Sequence, residues 1–225
     1  MKFTKPAMVL FDLDGTLVNS IPDLAYCVDE MMRQLGLVPP GQEQISKWVG
    51  NGVERLVKRA LTGDFTAEPE PSAFAPALAL FLELYAVHHS RDSRLYPGAK
   101  ATLEWLRARE IPLACVTNKA ARFTLPLLAN LEIAQYFGLV LSGDSLPEKK
   151  PSPLPLLTAA KHFGIPPANC LMVGDSRNDV QAARAAGFPM VAVSYGYNHG
   201  QDIHQAEPDA VIDSLDELSG LLTEG

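Results

Sequence analysis

Four aspartates stand where carboxylate chemistry is possible. Asp12 and Asp14 directly follow a short apolar run, and Asp175 and Asp179 follow another one much later in the chain. Side chains at positions i and i+2 of an extended chain point the same way, so Asp12 and Asp14 are expected to face one pocket. Like charges about 4 Å apart repel by about 4 kcal/mol at an effective dielectric of 20. A group of such acids therefore needs a cation.

Magnesium suits this group, because it is a hard ion that prefers oxygen ligands and keeps several of its waters. The sequence predicts a Mg²⁺ site formed by Asp12, Asp14 and Asp175. Gly15 and Thr16 let the chain turn away after these acids, and we expect them to leave backbone N–H groups free for an anion.

The elements that position these residues are buried strands separated by helices. Continuous apolar runs are typical of strands covered on both faces, as in a parallel sheet. The runs are Met8–Phe11, Leu113–Val116, Leu139–Leu141, Leu171–Val173, Met190–Val193 and, more weakly, Ala210–Ile212. Helical patterns between them cover Ala99–Arg109, Leu154–Phe163 and Val180–Ala186. This alternation predicts an α/β fold with a doubly wound, Rossmann-like parallel sheet.

Ligands of such sheets bind beyond the carboxyl ends of the strands. The predicted rim therefore also receives Thr117, Asn118, the segment Ser142–Asp144 and, shortly afterwards, Lys150.

A long helical segment interrupts this pattern after the first strand. Residues 18–95 show no convincing strand and carry helical periodicity over Ile21–Leu35, Gln44–Trp48, Val53–Leu61 and Phe74–His88. Because a crossover normally needs only a dozen or so residues, we expect an inserted helical cap domain at 18–95 on a core domain of residues 1–17 and 96–225. The segment Gly50–Gly52 is expected to form a flexible tip facing Asp12, with Asn51 touching the substrate.

Composition and charge narrow the function classes. The 225 residues carry a net charge of −7, which argues against nucleic-acid binding and requires local positive charge for any anionic substrate. We expect neither a signal peptide nor a membrane span, and three scattered cysteines favour a reducing cytoplasm. The five histidines show no metal-ligand spacing. A small phosphorylated metabolite is the expected partner, and the chain is expected to be a monomer or a homodimer.

Four ordered motifs carry a family resemblance: DLDGT at 12–16, Thr117-Asn118, Lys150-Pro151 and GDSRND at 174–179. Together they resemble the haloacid dehalogenase-like hydrolase superfamily. The resemblance implies that Asp12 attacks phosphorus and forms an aspartyl-phosphate, while Asp14 first protonates the leaving alkoxide and then deprotonates water.

The same resemblance assigns roles to the other motif residues. The Thr117 hydroxyl and the Asn118 backbone N–H would bind phosphoryl oxygens, and Lys150 would offset negative charge beside Asp12. Asp175 would be the third metal ligand. Asp179 would orient Lys150 or a metal-bound water from outside the ligand set.

A narrower resemblance lies in the insert and in the C-terminal third. The segments IPDLAYCVDEMMRQLGL, WVGNGVERLVKRAL and YGYNHG are similar to bacterial phosphoglycolate phosphatases. This implies magnesium-dependent hydrolysis of 2-phosphoglycolate to glycolate and phosphate. Arg55 or Lys47 of the insert would then meet the substrate carboxylate. Asn19 replaces an acid that many relatives carry after DLDGTL, which bears on the contacts of the hinge or the insert.

Alternative functions remain open at this point. The same scaffold suits another small-ester or nucleotide phosphatase, a sugar-phosphate mutase, or a non-catalytic module that binds phospho-ligands. The retained acids and Lys150 argue against the non-catalytic module, and Asp14 with Asp175 argues against a dehalogenase.

Overall fold

The computed structural model describes residues 3–223 as strands and helices that alternate over most of the chain. The strands are β1 (Phe3–Thr4), β2 (Met8–Phe11), β3 (Val18–Asn19), β4 (Arg94–Leu95), β5 (Leu113–Val116), β6 (Leu139–Leu141), β7 (Cys170–Gly174), β8 (Met190–Val193), β9 (Ala210–Ile212) and β10 (Leu222–Thr223). The helices are α1 (Ile21–Gln34), α2 (Gln42–Trp48), α3 (Val53–Thr62), α4 (Pro71–His88), α5 (Ala99–Arg107), α6 (Ala121–Asn130), α7 (Leu154–Phe163), α8 (Arg177–Ala186) and α9 (Leu218–Leu221).

Six parallel strands form the central sheet in the order β6-β5-β2-β7-β8-β9. All four residues of β2 are buried, as expected for a strand covered on both faces. Val9 and Phe11 pack into one apolar cluster, and Met8 and Leu10 pack into the cluster on the opposite face. The predicted doubly wound α/β fold is confirmed.

Strand β2, which comes first in the sequence among the six strands of this sheet, lies in its middle, between β5 and β7. Phe11, its last residue, is paired with Cys115 on one side and with Val173 on the other. The chain therefore leaves three neighbouring strands at the same edge, which is where open α/β sheets bind their ligands.

Helices α1 to α4 build a third apolar cluster, separate from the two clusters on the sheet. Its largest fully buried members include Met31, Phe81 and Tyr85. A two-residue antiparallel ribbon, in which β3 pairs with β4, links this helical layer to the sheet. The sequence indicated no strand at these positions, because two residues are too few to establish a periodic pattern.

Helix α4 is long and apolar enough, by length and composition alone, to cross a membrane. Only three of its 18 residues, Ala77, Phe81 and Tyr85, are buried. These three pack into the helical layer, and the Tyr85 hydroxyl receives a hydrogen bond from Lys119 of the sheet domain. The helix is therefore held within the fold by specific contacts on one face.

Candidate active site

Asp12, Thr117 and Asp175 each follow the carboxyl end of one of the three adjacent strands β2, β5 and β7, or lie in the first turn beyond it. All three are buried, with Asp12 the most exposed at 9%. The backbone N–H of Asp12 donates to the Val173 carbonyl and that of Thr117 to the Leu141 carbonyl, so the strand ladder fixes both residues. The sheet thus brings residues more than 150 positions apart in the sequence to one edge.

Lys150 lies between two carboxylates. Its Nζ is 2.9 Å from Asp12 Oδ1 and 2.7 Å from Asp179 Oδ1, and its side chain is 2% exposed. Burial alone would lower the pKa of Lys150, but the two carboxylates outweigh burial and raise it. Lys150 is therefore a permanent positive charge beside Asp12.

The carboxylate of Asp12 has one oxygen occupied by donors. Oδ1 accepts from the Leu13 backbone N–H at 2.8 Å and lies beside Lys150, whereas no donor contacts Oδ2 within the described part of the chain. Burial, opposed by Lys150 and reinforced by Asp179, raises the pKa of Asp12 to about 7. The arrangement leaves Oδ2 available as a nucleophile.

Asp179 is completely buried and serves two partners. While Oδ1 contacts Lys150, Oδ2 accepts from the Ser176 hydroxyl at 2.6 Å and from the Ser176 backbone N–H at 3.0 Å. The bond from the Ser176 N–H is one half of a capping box at the start of α8, and the Ser176 side chain accepts from the Asp179 N–H in the other half. Gly174 permits the close approach, since a Cβ there would lie 2.5 Å from the Asp179 Cγ. Asp179 is thus rigidly held and positions Lys150.

Asp14 is bound by a second lysine. Lys119 Nζ donates to both carboxylate oxygens, at 3.1 and 3.2 Å, and also to the Tyr85 hydroxyl. Lys119 is 6% exposed. Burial opposes its charge, but Asp14 and Tyr85 more than compensate, so the pKa of Lys119 is raised. Tyr85 belongs to α4, so the helical layer contributes directly to this contact.

Asp175 accepts only neutral donors in the described chain. Its Oδ1 accepts from the Thr16 hydroxyl at 3.0 Å and its Oδ2 from the Tyr197 backbone N–H at 2.7 Å. Burial, together with the charges of Asp12 and Asp179, raises its pKa well above the ordinary value. A Cβ on Gly15 would lie 2.3 Å from Oδ2, and one on Gly196 would lie 2.1 Å from the Asp175 Cβ. Asp175 is thus packed between two glycines.

The expectation that Gly15 and Thr16 leave backbone N–H groups free for substrate was wrong. Gly15 N–H donates to the Val18 carbonyl, and Thr16 N–H donates to the Leu13 carbonyl. Gly15 has a φ of +92°, and it lacks the Cβ that would collide with Asp175. The N–H of Gly15 is used within the tight turn. Gly15 therefore serves the site by leaving space for the Asp175 carboxylate.

The acids that come together differ in one member from the predicted metal set. Asp12, Asp175 and Asp179 each bring one oxygen to within 4.8 Å of the others. The Asp14 carboxylate is instead paired with Lys119, and the Asp179 oxygens already serve Lys150 and Ser176.

Among the described residues, Asp175 is the site acid without a lysine partner, and burial together with the charges of Asp12 and Asp179 raises its pKa. Hard oxygen donors with excess negative charge fit a divalent cation such as Mg²⁺.

Thr117 and Asn118 close the site on the β5 side. The Thr117 hydroxyl accepts from the Lys119 backbone N–H at 3.2 Å. The Asn118 amide donates to the Gly50 carbonyl at 3.2 Å and to the Lys150 carbonyl at 3.0 Å. Asn118 therefore bridges the sheet domain and the tip of the helical layer.

The tip Gly50–Gly52 does face the strand ends, but Asn51 turns away from them. Its side-chain oxygen accepts from Arg59 at 2.9 Å, while its backbone carbonyl accepts from Lys149 at 3.1 Å. Gly50 and Gly52 line the cavity next to Asp12, and Asn51 lines a separate surface depression. The structure places Asn51 outside the wall that a bound substrate would touch.

The cavity above the strand ends has a volume of about 40 Å³ and is partly open to solvent. Its polar wall is formed by Asp12, Asp14, Thr117, Asn118 and Lys119. The opposite wall comes from the helical layer and consists of Leu24, Val49, Gly50, Gly52, Val53 and Leu56. A phosphate placed at Asp12 would therefore have its leaving group beneath an apolar cover.

Arg55 and Lys47, the sequence candidates for a carboxylate partner, lie elsewhere. Arg55 is paired with Glu68 at 2.8 Å and Lys47 with Glu43 at 2.9 Å, both at the surface. Neither residue lines the cavity.

A single family model covers both the fold and the four sequence motifs. The family model described as haloacid dehalogenase-like hydrolase matches residues 9–193, which include all four motifs and the helical layer. The chain belongs to the haloacid dehalogenase-like hydrolase family.

Relatives of this hydrolase match it over nearly the whole chain. A protein named phosphoglycolate phosphatase from Nitrosococcus oceani is 56% identical over 98% of both chains. One of the same name from Thiobacillus denitrificans is 50% identical over 96% of this chain and 95% of its own. A crystal structure of a predicted phosphoglycolate phosphatase from Haemophilus somnus covers 97% of this chain and 99% of its own, with a TM-score of 0.92 at 37% identity.

Sequence reasoning about this hydrolase missed Lys119 and Tyr85. Lys119 stands two positions after Thr117 at a predicted strand end, so its place at the rim was available from the spacing. Tyr85 gave no such signal, because it sits in an apolar helix with the pattern of a core residue.

Proposed function

We propose that this hydrolase is a phosphatase that converts 2-phosphoglycolate to glycolate and phosphate. Supporting this is 56% identity, over 98% of both chains, to a protein named phosphoglycolate phosphatase. The apolar cover opposite Asp12 suits a compact leaving group.

The proposed catalytic steps use two carboxylates. Asp12 Oδ2 attacks phosphorus, an Asp12–phosphorus bond forms and the ester bond to the leaving oxygen breaks. Asp14 gives its proton to the departing alkoxide and then takes one from the water that opens the aspartyl-phosphate. Lys119 holds the Asp14 carboxylate in a fixed orientation beside this reaction.

The phosphoryl group is bound by residues of the strand ends. Lys150 Nζ lies close enough to Asp12 to contact an attached phosphoryl oxygen as well, and the Thr117 hydroxyl and the Asn118 backbone N–H supply neutral donors. Asp179 positions Lys150 for this role.

Mg²⁺ is the proposed cofactor. Asp12 and Asp175 would hold it, with Asp14 as the third ligand anticipated from the motif. A bound magnesium ion offsets the negative charge that the phosphate brings to this acidic edge.

The proposed division of the chain is a core of residues 1–17 and 96–225 with a cap of residues 18–95. Its separate apolar cluster and the β3–β4 ribbon support this cap. We propose that the protein works in the cytoplasm as a monomer or a homodimer and has no membrane or nucleic-acid partner.

The test is a panel of about twenty phosphate esters, each assayed for free phosphate with and without Mg²⁺. We expect 2-phosphoglycolate to give the highest kcat/KM and Asp12→Asn to lose at least about a thousand-fold, since an amide is a far weaker nucleophile. Substrate consumed without release of free phosphate would indicate a mutase instead. Full activity of Asp12→Asn on phosphoglycolate would refute the mechanism.

A further inference from the structure

Lys119 is the single cationic residue among those that line the cavity in the described chain. Lys150 lies deeper, between Asp12 and Asp179, on the side where the phosphoryl group would bind. The remaining wall of the cavity is apolar or formed by glycine. A second anionic group on a bound phosphate ester would therefore find its counter-charge at Lys119.

The ammonium of Lys119 has three donors, and its known contacts leave capacity for one more partner. It is shared between the two oxygens of Asp14, at 3.1 and 3.2 Å, and it donates once to the Tyr85 hydroxyl. These distances to Asp14 are long for a charge-assisted bond, which is typical of one donor divided between two acceptors. One N–H of the ammonium is then available to the cavity.

The position of Asp14 fixes where the leaving group lies. Asp14 must reach the ester oxygen in order to protonate it, and in phosphoglycolate the carboxylate carbon is only two bonds from that oxygen. Lys119, in direct contact with Asp14, is within reach of a carboxylate at this distance. In a larger phosphate ester, an anionic group farther from the ester oxygen would meet the apolar cover instead.

We propose that Lys119 binds the carboxylate of the leaving group and thereby selects short phospho-carboxylic acids over neutral esters of the same size. This inference rests on the proposed function and adds the residue responsible for its specificity. Tyr85 serves as the positioning residue, because its buried hydroxyl holds Lys119 from the helical layer.

Other cations near the site are less suited to this role. Arg55 and Lys47 are committed to surface ion pairs with Glu68 and Glu43. Lys149 is exposed and donates to the outward carbonyl of Asn51. A carboxylate enclosed in the cavity would have to be paired, since burial of an unpaired charge is strongly unfavourable.

The experiment compares 2-phosphoglycolate with ethyl phosphate, in which a methyl group replaces the carboxylate. For each enzyme, kcat/KM on phosphoglycolate is divided by kcat/KM on ethyl phosphate. Any loss caused by misplacement of Asp14 affects both esters and cancels in this ratio. In Lys119→Met the ratio is expected to fall roughly 100-fold, as on removal of one partner of a buried charge pair.

Lys149→Met is the matched control, and its ratio should equal that of the wild type. Lys119→Gln replaces Lys119→Met if the methionine variant does not fold, and the same fall is expected because the charge is again absent. A wild-type ratio retained in a folded Lys119 variant overturns the carboxylate role alone. A wild-type enzyme that hydrolyses neither ester, or both equally well, instead contradicts the proposed function itself.

Discussion

Three of the four aspartates in the site are balanced locally by lysines, and Asp175 is the exception. Lys150 serves Asp12 and Asp179, and Lys119 serves Asp14. Burial of a lone carboxylate or ammonium is unfavourable, so the members of each group depend on one another for stability as well as for chemistry.

Lys150→Met tests this dependence at the level of one residue. The substitution leaves Asp12 and Asp179 facing each other without a cation, and we expect the free energy of unfolding to fall by about 3–5 kcal/mol at neutral pH. Urea unfolding measures the loss. The double variant Lys150→Met with Asp179→Asn should recover part of it, since one of the two buried charges is then gone.

Lys149→Met is the control for this measurement, because Lys149 is the exposed neighbour of Lys150. Its unfolding free energy should stay within about 0.5 kcal/mol of the wild type. Equal losses in both lysine variants would contradict the importance of the buried triad.

The residues predictable from sequence were those whose position relative to a strand end determines their surroundings. Asp12, Thr117 and Asp175 directly follow apolar runs, so their place at one edge followed from the sheet alone. The partners of Asp14 did not follow, because the Lys119–Tyr85 contact joins two elements whose packing no local pattern encodes. The orientation of Asn51 likewise depends on Arg59, which lies in α3 and donates back to the Asn51 side chain.

At the scale of elements, the loop that follows β8 connects Asp175 at the strand ends to the segment that enters the helical layer. The Tyr197 backbone N–H donates to Asp175, while the Tyr197 hydroxyl accepts from the Ser20 backbone N–H at 2.9 Å. His199 of the same loop lies 3.1 Å from the Lys47 carbonyl of α2. This loop therefore holds Asp175 and the helical layer in one arrangement.

Gly196→Ala tests how closely this loop must approach Asp175. The new methyl group would lie 2.1 Å from the Asp175 Cβ, so either the loop or the acid must move. We expect a loss of about 1–3 kcal/mol in unfolding free energy, typical of overpacking, and a higher Mg²⁺ concentration for half-maximal activity. Thermal unfolding and a magnesium titration measure the two effects.

Gly220→Ala is the matched control for this substitution. A Cβ at Gly220 would meet nothing within 4 Å, so neither stability nor the magnesium requirement should decrease. If Gly196→Ala binds Mg²⁺ as the wild type does, the loop does not set the position of Asp175.

Elements with a strong periodic pattern were predicted nearly to the residue. The strand Met8–Phe11 and the helix Leu154–Phe163 have the expected bounds. Helix α6 was not predicted, and it contains Pro126, a residue that normally ends a helix. Pro126 is the only proline among the ten residues of α6. The buried side chains of Phe123, Leu127 and Leu128 stabilise the helix by packing into the apolar clusters.

At the scale of the whole molecule, an acidic chain buries two lysines among the aspartates at one edge of its sheet. The net charge is −7, yet Lys119 and Lys150, the most buried lysines of residues 3–223, lie beside the cavity. Asn118 and Asn178 both donate to the Gly50 carbonyl, which closes the helical layer over these charges. An anionic substrate thus meets two lysines at an edge where four aspartates still leave an excess of negative charge, and a bound cation would offset that excess.

The free energy of unfolding should depend on pH, because the site buries more carboxylates than lysines. Burial raises the pKa of Asp12 to about 7 from an ordinary value near 3.8, and the pKa of Asp175 is raised as well. Between these pH values the metal-free folded state retains a proton that the unfolded state has lost. The free energy of unfolding therefore falls as the pH rises from about 4 to about 7.

Magnesium should reverse this loss, because the cation takes the place of the proton among Asp12 and Asp175. At a concentration 100 times its Kd at pH 8, Mg²⁺ should raise the Tm by roughly 5–10 °C at that pH. The same Mg²⁺ concentration should raise the Tm by clearly less at pH 5, where protons compete for the same oxygens. Differential scanning calorimetry in EDTA and in Mg²⁺ measures both shifts. Glu148→Gln, which alters an exposed acid, should respond as the wild type does. The Tm of Asp175→Asn should hardly change with Mg²⁺, because this variant lacks the one site acid that no lysine neutralises. A stabilisation by Mg²⁺ that is equal at both pH values, or retained in Asp175→Asn, would place the ion elsewhere on this acidic protein.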